Sequence, residues 1–168
     1  MALTPAQQAT LKAYVEADGT LNAFQHNSDG AFAIAEALKA DASPDFIVWR
    51  TSIAEREFTD ETSRDGTTWS WPAFIARSVG EQAGWSAMFR NGTVNAAKAN
   101  VRQGFADIFS GAANNAPAQR THCAAIGKRK CNRLEKLFAT GTGSTASPAT
   151  MAVEGVLSYA DVMIAMGW

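Results

Sequence analysis

Apolar residues fall at helical spacing along most of the chain, interrupted by start and stop signals. Thr4-Pro5 places a capping residue before a proline at the first helical position, and Gln7 completes a capping box. Leu11, Tyr14 and Val15 then share one face up to Asp18-Gly19. Asn27-Ser28-Asp29 opens a second helix, whose buried side reads as Phe32, Ile34, Ala35 and Leu38. Ser43-Pro44-Asp45 repeats the start signal, and Phe46, Trp49 and Ile53 follow at helical spacing. The run Phe-Ile-Val-Trp also suits a strand, but helix is the preferred reading. Glu55 to Thr68 is polar and turn-rich, which predicts an exposed loop carrying Glu55, Glu57, Asp60 and Glu61.

Trp69, Trp71, Phe74 and Ile75 crowd together next and predict core, with a docking patch as the second reading. Ser78 and Glu81 form a capping box for a helix bearing Trp85, Met88 and Phe89, stopped at Asn91-Gly92. Lys98 to Phe109 predicts a further helix with Val101, Phe105, Ile108 and Phe109 on its face. Pro117 starts another, which bends near Gly127 and resumes through Leu134, Leu137 and Phe138. Gly141 to Pro148 has no periodicity and predicts an extended tract. Met151 to Leu157 alternates weakly, as in a short strand or a β-addition to a neighbour. Ser158 with Asp161 marks a last helix ending at Met166-Gly167-Trp168. The fold class is therefore mainly α, a bundle of about five to six helices. Residues 1–140 form the helical domain, and 141–168 an extended arm with a short terminal helix.

Composition adds little to this picture. The apolar fraction of 46% is ordinary and the charged fraction of 18% somewhat low, so partners covering part of the surface are favoured slightly. Net charge is -1, which gives no global polybasic character. The distribution is uneven: residues 1–70 carry 11 Asp/Glu and 5 Lys/Arg, and residues 71–168 carry 5 and 10. Opposed ends would let copies stack, whereas interleaved halves would cancel the effect. The N-terminus lacks the regions of a signal peptide, and no run approaches a membrane span.

No residue set spells out a reaction. Cys123 and Cys131 make no disulfide framework; on one helix they would stand roughly 12 Å apart by helical rise. His122, Cys123, Cys131 and His26 lack the paired spacing of a zinc site. The acids at 55–61 sit in an open loop, without the burial that tunes a catalytic carboxyl. Gly141-Thr142-Gly143-Ser144 lacks the lysine of a phosphate loop. No catalytic, cofactor-binding or metal-ligating residue is assigned. The sharpest charge feature is Lys128, Arg129, Lys130 and Arg133, continued by Lys136. A solvated helix face is the commonest fate of such a run, an acidic protein surface the next, and nucleic acid the last.

Val48-Trp49-Arg50-Thr51-Ser52, Lys98 to Arg102, the segment Glu135 to Met151 and Glu154 to Val162 resemble a family of small structural proteins from tailed bacteriophages. The opening Leu3 to Lys12 is similar in kind. The likeness spans nearly the whole chain and is most specific from Glu135 to Val162. Such proteins are encoded near the capsid and neck genes. The resemblance implies a non-enzymatic head–tail connector or adaptor in the virion neck, made in the host cytoplasm. It also implies a homo-oligomeric ring, of about twelve subunits, closed by a heterologous contact. The implied partners are the portal protein and other neck or tail proteins, with packaged DNA near by and no membrane. Met151, Val153, Leu157 and Trp168 would dock the arm on a neighbour, and the basic run would face a partner. A tail-terminator, stopper or capsid-associated protein is the nearest alternative. A small cell-wall hydrolase or a DNA-binding regulator stands further off.

Overall fold

Capping chemistry sets most helix limits in the computed structural model, which describes residues 2–60 and 62–168. Helix α1 (Pro5–Ala17) starts from the Thr4–Gln7 capping box. Helix α2 (Ser28–Lys39) starts where the Asn27 side chain accepts from the amides of Asp29 and Gly30. Strand β1 (Ile47–Trp49) and strand β2 (Ile53–Ala54) precede the short helices α3 (Glu55–Asp60) and α4 (Trp71–Ile75). Helix α5 (Val79–Met88) carries the Ser78–Glu81 box. Strand β3 (Thr93–Val94), helix α6 (Ala99–Ile108) and helix α7 (Ala116–Ile126) follow. The chain ends with β4 (Lys128–Lys130), α8 (Arg133–Leu137), β5 (Ala139–Thr140), β6 (Thr150–Met151) and α9 (Tyr159–Met166). Among the described residues the strands pair two by two: β1 with β4, β2 with β3, and β5 with β6. The last two pairs are antiparallel, with Ile53 opposite Val94 and Ala139 opposite Met151. The chain is thus mainly α, as the periodicity predicts.

Two compact units form. One joins the residues up to Val48 to Lys130–Trp168, and the other is Trp49–Arg129. The first unit's core holds Leu11 and Val15 of α1, Ile34 and Leu38 of α2, and Val153, Leu157, Val162 and Met166. The second is built from rings. Trp85 is buried and lies within 6.1 Å, centroid to centroid, of Phe58, Phe74, Phe89, Phe105, Phe109 and Trp69.

Five expectations are corrected. First, 46–49 is extended rather than helical. Ile47 donates its amide to Gly143 O (2.7 Å) and Ala149 donates to Ile47 O (2.9 Å). Ile47 and Val48 are both buried, so a strand covered on both faces was masked as an apolar run. Gly143 permits this approach: its φ is +65°, and a Cβ there would stand 2.3 Å from the Phe46 ring. Second, 55–68 is not an open loop. Phe58 of α3 is fully buried against Phe105 (5.0 Å), and the stretch after it is pinned from α7. His122 is bonded to Phe58 O (2.7 Å) and Thr67 Oγ1 (3.1 Å), and Gln119 accepts from Ser70 N (3.1 Å). Since a carbonyl only accepts, His122 donates a proton from Nε2 to Phe58 O, and its Nδ1 meets the Thr67 hydroxyl. The predicted acid Glu61 lies outside the described residues.

Third, no helix resumes directly after Gly127. Its amide caps α7 by donating to Cys123 O (3.0 Å), and the chain leaves as β4, so Cys123 and Cys131 do not share a helix. Fourth, Phe32 is 58% exposed, because Ala31, Ile34, Ala35 and Leu38 already fill the inward stripe of α2. Fifth, 141–168 is not an extended arm. Residues 141–148 and 152–158 are irregular, but β6 pairs with β5 of its own chain, and Val153, Leu157, Val162, Ala165 and Met166 enter the first unit's core. A tail with this much apolar surface gains more by burial at home than by exposure to water. The compact units accordingly do not divide at residue 140.

Candidate partner-binding sites

The basic run does not form one stripe. Strand geometry turns successive side chains to opposite faces, and α8 then rotates the rest. Lys128 Nζ stands 5.5 Å from the Trp49 ring, and Lys130 Nζ pairs with Asp45 Oδ2 at 2.7 Å. Arg133 Nη2 donates to Asp18 Oδ2 (2.8 Å) and Tyr14 Oη (3.0 Å). Lys136 Nζ lies 5.6 Å from the Phe46 ring, and Arg129 too is engaged within the chain. Amides of Leu21 and Thr20, joined by Arg133, hold the Asp18 carboxyl below its ordinary value despite its partial desolvation. Arg133 and Lys136 line a cleft of about 580 Å3 with Tyr14, Ala42, Ser43 and Leu137. Two members of the run thus meet around open space there.

The four apolar arm residues lie apart from one another in role. Val153 and Leu157 are buried in the first unit, and Met151 pairs with Ala139 in the small sheet. Trp168 stacks on His26 at 4.6 Å. What fastens this segment is Glu135, 2% exposed. Its Oε1 accepts the Gly155 amide at 2.9 Å, and its Oε2 accepts the Asn132 amide at 3.2 Å. Asn132 Nδ2 donates in turn to Gly155 O at 2.9 Å. The pattern Asn-x-x-Glu is legible as a capping box; its second task, holding the chain at Gly155, 20 residues on, is not.

The unpartnered surface is elsewhere. In the second unit Trp71, Ile75 and Val79 are 54%, 69% and 85% exposed. Part of the predicted aromatic core thus faces outward, while Trp69 and Phe74 turn in beside Trp85. In the first unit Phe32, Val156, Tyr159 and Ile164 are each at least half exposed. Phe32 and Tyr159 line one shallow cleft with Ser28 and Asp29. The charge asymmetry survives folding: the first unit holds nine Asp/Glu and five Lys/Arg, and the second seven and ten.

Among the described residues no three His, Cys, Asp or Glu side chains gather as metal ligands, and no helix is long and apolar enough to cross a membrane. Burial pushes the Cys123 thiol far up, which makes it a poor nucleophile. No family model, curated protein or solved structure matches the chain.

Proposed function

We propose that the chain is a virion structural protein, a head–tail connector or adaptor that assembles as a ring below the portal and joins capsid to tail. The observation that carries the reading is the set of exposed large apolar side chains on each unit, together with the opposite net charge of the two units. Large apolar groups left in water on both units are sites for protein contact. Unlike patches on unlike charge favour a heterologous contact, which closes into a ring. The likeness to phage neck proteins from Glu135 to Val162 supports the same role.

Docking falls to the folded faces rather than to a free arm. Glu135 and the core already hold 151–166, so association bears little ordering entropy there. Gel filtration with light scattering, alone and with portal assemblies, tests the role. The expected result is a ring or co-migration with the portal. Ile75→Ser with Val79→Ser should remove it with little change in melting temperature, because both side chains are largely exposed. A chain that stays monomeric and ignores the portal rejects the proposal.

A further inference from the structure

A second cavity, of about 230 Å3, lies between α6 and α7 in the Trp49–Arg129 unit. Trp49, Phe105, Cys123 and Ala124 give it apolar walls, and two guanidinium groups, Arg102 and Arg120, complete the lining. Arg102 Nη1 donates to the carbonyls of Ala96 (2.6 Å) and Ala97 (2.8 Å), and the group stacks 4.6 Å from the Trp49 ring. Arg120 Nη1 donates to the carbonyls of Phe109 and Gly111. Each arginine is thereby fixed in place through one nitrogen. Nε and Nη2 of both have no protein acceptor among the described residues.

No carboxylate lines the cavity, and neither arginine is in an ion pair among the described residues. That separates this site from the first unit's cleft, where Asp18 already neutralises Arg133. Two half-buried cations beside an apolar hollow favour a counter-anion brought from outside. They also favour one whose body prefers the apolar walls to water. The volume falls below the ~300 Å3 at which drug-sized sites begin, so the guest is small.

We propose that this cavity binds a small organic carboxylate with an aryl or short alkyl body. Its carboxylate accepts from the unspent donors of Arg102 and Arg120. Its body lies against Phe105, Cys123 and Ala124. Inorganic phosphate fits less well, since it has nothing to place on those walls and more charge to desolvate. The proposal stands independently of the assembly role.

The test is titration of the full chain with benzoate and hexanoate, by calorimetry and by melting temperature, with acetate, benzyl alcohol and phosphate as controls. Benzoate or hexanoate should bind saturably and raise the melting temperature, and each control should be at least about tenfold weaker, as expected for losing one charged hydrogen bond or the apolar body. Ala124→Leu fills the hollow while keeping both arginines, and should abolish binding. Arg120→Met should weaken it by about tenfold or more; should that variant fail to fold, Ala124→Leu decides. Three results overturn the proposal: no saturable binding of either acid, unchanged binding by Ala124→Leu, or binding of an acidic peptide with none of the small acids.

Discussion

Cutting the chain after Thr140 should unfold the first unit, not merely remove an appendage. The deletion takes Val153, Leu157, Val162 and Met166, each no more than 6% exposed. Burying one such side chain contributes about 1.5–3 kcal/mol, so the four contribute roughly 6–12 kcal/mol. It also strips Glu135 of the Gly155 amide, and a buried group left unpaired costs about 1–3 kcal/mol. A domain's whole stability is about 5–15 kcal/mol, so even the lower figures remove about half of it or more. Far-UV circular dichroism and thermal melting of residues 1–140 against the full chain measure the effect. The helical signal should fall by well more than the eight residues of α9, and the cooperative melt of the first unit should vanish. A truncated chain that keeps α1 and α2 and melts as before would refute the reasoning and restore a detachable arm.

Two further outcomes follow from particular side chains. Glu135→Ala should lower stability by about 3 kcal/mol in urea unfolding, from two orphaned amides and a lost cap, and Glu135→Gln by less. Hydrogen exchange at the Gly155 amide should rise in both. Glu57 sets an acid limit: burial opposes its ionisation, but the Ala54 amide (2.8 Å) and Arg50 outweigh it and hold its carboxyl below the ordinary 4.5. A depressed carboxyl contributes stability that is full above 4.5 and lost as the pH falls through its lowered value. Glu57→Gln should therefore flatten the acid side of a melting-temperature profile. An unchanged profile would remove Glu57 from the account.

Local chemistry was legible and distant chemistry was not. The capping boxes at Thr4, Ser78 and Ser158 fixed helix starts because each is closed within four residues. Strand β1 was misread because its partners lie near residues 131, 143 and 149, and no period in 46–49 reveals them. Phe58 was lost among acids because one ring in a polar run has no periodicity, although it packs on three others. The basic run was plain in sequence, but its division among Trp49, Asp45, Asp18 and Phe46 depends on where β4 and α8 turn. Arg102 and Arg120 gave no sign of a shared cavity, since only the packing of α6 and α7 brings them to one hollow.

The folded C-terminal segment changes how an assembly role would work. A free arm would couple binding to folding, and part of its contact energy would go to ordering the chain. Here that ordering is internal: the segment completes a core, and Glu135 and Asn132 fix its path through Gly155. What remains for a partner is rigid apolar surface on α2, α4, α5 and α9. Rigid faces bind with less entropic loss, and opposite unit charges steer them in one order rather than two. In the proposed ring the tail segment would thus act indirectly, by holding Phe32, Tyr159 and Ile164 on a firm support.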